Sequence, residues 1–161
     1  MQKKLLKLLP TYLVAVAIPL GVGILSALLT AGNMDIYSEI ARPPLAPPAW
    51  LFPVAWTILY TLMGVSSGLV YLERESAPEA ARCGLGYYAA SLFVNFFWSI
   101  IFFNMKSFLF ALVWLLLLIY LVVKTVRCYA KVSPLAAYLQ IPYIAWLIFA
   151  AYLNAAIYLI N

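Results

Sequence analysis

Five long stretches of the chain carry no formally charged residue: Leu8 to Met34, Pro43 to Leu72, Cys83 to Met105, Ser107 to Val123 and Val132 to Asn161. Their lengths are 27, 30, 23, 17 and 30 residues, together 127 of 161. A bilayer core of about 30 Å takes about 20 apolar residues of helix, with a working range of about 17–25. Each stretch therefore holds one span and none holds two. The shortest is bounded by Lys106 and Lys124, whose long stems can carry their charges to the interface. Barrel strands would alternate over segments of about ten residues, whereas Leu109 to Val123 is apolar at nearly every position. With 67% hydrophobic and 9% charged residues, against about 45–50% and about 25% in soluble domains, the chain lacks the polar surface to cover a globule in water.

The expectation is an all-α integral membrane protein: one domain over residues 1–161, built as a five-transmembrane-helix bundle. The helices are expected at about 10–30, 49–72, 83–104, 107–129 and 134–160, with a loop at 31–48. The basic, apolar start runs too long for a signal peptide and lacks a clear small-x-small cleavage site, so the first helix is expected to stay. Basic residues orient short loops toward the cytoplasm. Lys3, Lys4, Lys7, Arg74, Arg82, Lys124, Arg127 and Lys131 fall on one side, and only Arg42 and Lys106 on the other. A cytoplasmic N-terminus and an extracytoplasmic C-terminus follow. The net charge of +5 is explained by that topology, with no call for a nucleic-acid partner.

Absences narrow the chemistry. The chain has no histidine, and its five acidic residues, Asp35, Glu39, Glu73, Glu75 and Glu79, all lie between the spans. Ion-coupled carriers place ionisable groups inside the membrane, and hydrolases need paired carboxylates or a triad. Neither class is expected, and no metal site is expected. Cys83 and Cys128 are not in a CxxC pair and read as small buried apolar residues.

The informative residues are aromatic and carboxamide groups within the spans. Trp56, Tyr60 and Met63 share one face of the second helix. Asn95, Trp98, Ser99 and Phe102 share one on the third, and Pro142, Trp146, Phe149, Ala150, Leu153 and Asn154 one on the fifth. Carboxamides face lipid only at a cost, so Asn95 and Asn154 are expected to point into the bundle. Core packing accounts for the buried tryptophans about as well as a ligand does, and Trp50 reads as an interfacial anchor. Above these faces lies the loop Thr30 to Pro48, whose run Arg42-Pro43-Pro44-Leu45-Ala46-Pro47-Pro48 reads as a stiff extended lid, since proline fixes φ and extends the residue before it. Gly64 with Gly68, and Gly86 with Ala90, form small faces read as packing within the bundle.

Several blocks resemble the TspO/translocator protein family. They are Arg42-Pro43, then Pro47-Pro48-Ala49-Trp50-Leu51-Phe52, Trp56-Thr57-Ile58-Leu59-Tyr60, Asn95-Phe96-Phe97-Trp98-Ser99, Pro142-Tyr143-Ile144-Ala145-Trp146, and Phe149-Ala150 with Leu153-Asn154. The resemblance implies a five-helix homodimer that binds porphyrins, sterol-like lipids and isoquinoline or benzodiazepine drugs in a pocket beneath the first loop, with no obligatory cofactor. By matching motifs, Tyr37, Pro43, Trp56, Tyr60, Asn95, Trp98, Trp146, Ala150 and Leu153 would line it. Arg42 is a candidate partner for a propionate. Ile36, Ser91 and Trp114 depart from the family pattern, which implies a drier pocket. The family's C-terminal cholesterol pattern is missing its basic residue after Tyr152 or Tyr158. The resemblance leaves a receptor or carrier, a light-dependent porphyrin-degrading activity using Trp56 and Trp146, and a sensory scaffold acting through a partner as alternatives. Transport, storage, degradation and signalling all begin with the same pocket.

Overall fold

The computed structural model describes residues 2–161, leaving aside the side chains of residues 2–7, 37 and 38. The regular structure of the described residues is helical throughout. Helix α1 spans Gln2–Thr30, α2 Leu51–Leu72, α3 Pro78–Ser99, α4 Phe108–Tyr129 and α5 Ile141–Ile160, the last preceded by a short helix over Pro134–Leu139. Five helical segments are long and apolar enough to cross a membrane, and the protein is an all-α, multi-pass integral membrane protein.

Two helices begin earlier than charge placement suggests. α1 starts at Gln2, running through the lysines ahead of Leu8 and through Pro10, and α3 starts at Pro78 with Glu79 in its first turn. Proline at a helix start forfeits only an N–H that has no partner there anyway, and a carboxylate near that end meets the positive pole of the helix dipole. A charge therefore bounds a membrane span without bounding the helix that contains it.

Around the bundle the helices follow the order α1, α2, α5, α4, α3, with α3 packed most extensively on α4 and α1 on α2. Lipid tails are as apolar as leucine, so helices associate through close packing and internal hydrogen bonds rather than by escaping water. Gly64 carries the α1–α2 contact: a Cβ there would sit 2.5 Å from the Val16 Cα and 2.7 Å from the Ala15 carbonyl oxygen. Gly68, one turn on, faces the Tyr12 ring at 2.9 Å, so this pair packs within the bundle. The Gly86 and Ala90 face does not: both residues are exposed, and nothing lies within 4 Å of a Cβ at Gly86. At the break before α5, buried Gln140 donates to the Ser66 hydroxyl at 3.2 Å, and Ser66 donates to the Ala136 carbonyl at 2.7 Å. This chain ties the entry of α5 to α2.

The loop between α1 and α2 is more folded than a stiff extended strap. It contains a turn of 3-10 helix at Ala31–Asn33 and a helical turn at Ile36–Glu39. Within the proline run the Ala46 N–H bonds the Pro43 carbonyl at 3.2 Å, and Leu45 has φ +67°. Consecutive prolines hold Pro43 and Pro44, and the chain reverses at the first residue free to take a left-handed conformation.

Candidate ligand-binding cavity

Beneath this loop α1, α2, α3 and α5 diverge around a cavity of about 470 Å³, within the range of about 300–1,000 Å³ typical of small-molecule sites. α4 takes no part in the lining. Tryptophan comes from three helices. Trp56 stacks on Tyr60 at 5.2 Å between ring centroids and meets Trp146 edge-on at 6.4 Å. Phe52 closes on Trp146 at 6.0 Å, and Trp98 stacks on Phe102 at 5.2 Å.

α3 reaches the cavity by changing its winding. Residues Ile100–Asn104 form a π-helical segment, with the Met105 N–H bonded to the Ile100 carbonyl at 3.0 Å. The wider turn brings residues four and five apart toward one side, so Trp98, Ser99, Phe102 and Phe103 all border the cavity. Short π segments of this kind are frequent at functional sites. Lys106, with φ +52°, then ends the span. Trp114 holds this stretch from behind, its indole N–H donating to the Val94 carbonyl at 2.7 Å. Its departure from the family pattern is thus a helix-helix tie outside the cavity.

Polar groups are few and placed. Asn95 is buried and donates to the Tyr60 hydroxyl at 2.7 Å, which fixes the Tyr60 ring against the wall. Gly23 permits that placement, since a Cβ there would overlap the ring. By contrast, the indole N–H groups of Trp98 and Trp146 and the carboxamide of Asn154 have no hydrogen-bond partner in the protein. All three residues line the cavity, and Asn154 is only 1% exposed. A buried donor left unpaired costs about 1–3 kcal/mol, and these groups lie behind the cavity surface with almost no accessible area of their own.

The loop is pinned above. The Asn33 amide donates to the Asn104 side chain at 3.0 Å, and Asn104 donates to the Leu29 carbonyl at 3.1 Å. The Ala41 N–H donates to Asn161 at 2.9 Å, and the Tyr152 hydroxyl to the Pro44 carbonyl at 2.9 Å. To the side, the lining residues Ile24, Ala27, Pro53 and Thr57 are themselves exposed. The cavity is therefore continuous with the lipid-facing surface between α1 and α2.

Of the residues singled out in the sequence, Trp56, Tyr60, Trp98, Trp146, Ala150 and Leu153 lie on the cavity wall, and Asn95 stands behind Tyr60. Pro43 is buried within the loop and Arg42 is exposed on it, neither on the wall. The side chain of Tyr37 lies outside the described residues. Sequence reasoning missed the α1 contribution of Leu20, Gly23, Ser26 and Thr30. Ser26 and Thr30, one turn apart and buried in an otherwise apolar stretch, were the available signal.

Fold and cavity together define a five-span membrane protein with an aromatic-lined site beneath the first loop. The TspO/MBR family model matches residues 15–159. A tryptophan-rich protein TspO from Archaeoglobus fulgidus is 34% identical over 158 residues, covering 98% of each chain. A second protein of that description from Chlorobaculum tepidum is 38% identical over 125 residues, 78% of each, and the translocator protein of Bos taurus is 38% identical over 133 residues, 82% of this chain and 79% of its own. The chain belongs to the TspO/MBR family.

Proposed function

We propose that the protein is a membrane receptor or carrier for porphyrins and related flat apolar ligands, held in the cavity beneath the first loop. The observation that carries this reading is the convergence of three indole rings, Trp56, Trp98 and Trp146 from three helices, on one cavity beneath the loop. A tetrapyrrole offers the complement, a broad planar π surface for the rings. Sterol-like lipids and isoquinoline or benzodiazepine drugs are smaller ligands of the same general chemistry. The opening between α1 and α2 supports lateral entry from the bilayer, the phase in which such ligands concentrate. The distribution of basic residues supports a cytoplasmic N-terminus, with the loop on the opposite side. The exposed Gly86 and Ala90 face of α3 supports pairing of two chains.

The test is titration of the purified protein with protoporphyrin IX, read as quenching of tryptophan fluorescence. Saturable quenching that isoquinoline ligands reverse is expected; linear, unsaturable quenching would remove the reading. A second reading, light-driven breakdown of the bound porphyrin, is favoured by one observation, the placement of the oxidisable rings of Trp56 and Trp146 together on the wall. It requires a discrete product on illumination in air that Trp56→Phe/Trp146→Phe fails to form.

A further inference from the structure

A groove of about 580 Å³ opens between α1, α2 and α3 in the half of the bundle away from the cavity, with which it shares no residue. Val14 and Ile18 of α1, Tyr71 of α2 and Ala89 of α3 form its exposed rim, and Ser67, Tyr88 and Leu92 its buried floor. Space remains because the lining side chains are small or engaged elsewhere. Ala15 and Ala89 are short, and the Tyr88 ring pairs with Tyr129 of α4 at 6.4 Å between centroids. The Ser67 hydroxyl donates to the Gly64 carbonyl of its own helix at 3.0 Å, so the floor suits an apolar occupant. Along α1 the lining runs from Pro10 to Ile18, about 12 Å of helix. One leaflet of a bilayer core is about 15 Å deep, so the groove has the length of an acyl chain within one leaflet.

A cation stands at the mouth. Arg74, just beyond the end of α2, lays its guanidinium over the Tyr71 ring, 4.1 Å from the centroid, and donates to the Tyr71 carbonyl. An arginine carries five N–H donors, so that bond leaves most of the fork for a phosphate, whose geometry it matches. Lys7 and Lys4 precede the lining residue Thr11 by four and seven residues, a spacing that continues the same stripe of α1. With Lys3 and Arg82 the basic residues at this end of the three helices number five, against Glu73, Glu75 and Glu79. We propose that the groove is a binding site for an anionic phospholipid of the adjoining leaflet, with one acyl chain lying along α1 and the phosphate on Arg74. A zwitterionic lipid offers the same chain and phosphate, but its ammonium meets an end of the bundle that is already net positive, so the charge balance selects the anionic headgroup. The site stands whatever the cavity binds.

The experiment offers the purified protein in micelles equal amounts of phosphatidylglycerol and phosphatidylcholine with the same acyl chains, and reads the retained lipid by native mass spectrometry. One phosphatidylglycerol per chain should be retained, in several-fold excess over phosphatidylcholine. Arg74→Gln should bring the two lipids to equal retention. Ala89→Phe, which puts a ring into the groove from its exposed rim, should remove both, and Ile18→Trp does the same from the opposite rim if Ala89→Phe fails to fold. Ala150→Phe, in the cavity, should leave retention unchanged. The proposal is overturned by equal retention of the two lipids in the parent, by a phosphatidylglycerol preference that survives Arg74→Gln, or by parent-like retention in a folded groove-filling variant. Loss of the lipid in Ala150→Phe would overturn it too, by placing the lipid in the cavity.

Discussion

In the half of the bundle away from the loop, glycine sets the distances: α1 meets α2 at Gly64 and Gly68, and α4 meets α3 at Gly84. In the half beneath the loop, Trp56, Trp98 and Trp146 hold α2, α3 and α5 apart around a cavity. The close-packed half buries Met63, Val70, Leu118 and Val122 almost completely. A surface groove opens there between α1, α2 and α3, lined by residues such as Val14, Tyr71 and Tyr88. The difference follows from what drives assembly in lipid. Backbone contact through small residues supplies the stability, and a rigid closed half permits the other to stay open without the helices collapsing together.

The largest effect should come from adding a methyl group in the closed half. Gly64→Ala puts a Cβ against the α1 backbone, which cannot rotate out of the way as a side chain can. Overpacking typically costs about 1–3 kcal/mol, and backbone contact places this variant at or above that upper end. Thermal unfolding in micelles should drop steeply, and an unchanged transition would mean α1 and α2 do not touch there.

Next is Tyr60→Phe, on the boundary between the halves. It strands the buried Asn95 carboxamide, and leaving such a group unpaired costs about 1–3 kcal/mol. Tyr60→Phe/Asn95→Leu should recover much of the loss, which a double-mutant cycle reads directly. Failure of that recovery would show that the hydrogen bond does not position the ring.

A smaller effect is expected from Trp146→Ala in the open half. Core tryptophans typically cost about 3–5 kcal/mol when cut to alanine, but this ring already borders open space, so the stability loss should fall below that range. Loss of stacking, about 0.5–1.5 kcal/mol for an aromatic pair, should weaken protoporphyrin binding by up to about tenfold. A full core-sized loss of stability would make the open half an ordinary core.

The smallest is Leu45→Gly in the loop. The left-handed conformation costs a side-chain-bearing residue about 1–2 kcal/mol, and the greater chain entropy of glycine, about 0.5–1 kcal/mol, offsets part of the gain. A net stabilisation of a few tenths of a kcal/mol is expected, visible as slower proteolysis at Leu45. Faster cleavage would place the strain elsewhere.

Much of this division was legible in the sequence, for identifiable reasons. Long charge-free stretches mark spans because charge is excluded from lipid, and helical spacing put Trp56 with Tyr60 and Ala150 with Leu153 because those faces are locally periodic. The same spacing grouped Met63 with Trp56, yet Met63 is fully buried in the closed half. Periodicity reports a face and is silent about depth along it. Around the cavity α1 is apolar on nearly all sides, so its contribution was marked only by Ser26 and Thr30, one turn apart. The π segment at Ile100–Asn104 depends on what packs against α3 rather than on any local signal. Cys83 and Cys128 read as small buried apolar residues, yet Cys83 is exposed and Cys128 half-buried.

The central claim, that the open half is the ligand site, is tested most directly by filling it. Ala150 lines the cavity, and Ala150→Phe would place a ring in that space while leaving Gly64, Gly68 and Gly84 untouched. Protoporphyrin IX titration of this variant beside the parent is the decisive measurement. The account predicts that the variant keeps the parent's unfolding transition and loses saturable quenching. Parent-like affinity in a folded Ala150→Phe protein would contradict it and move the ligand out of the cavity.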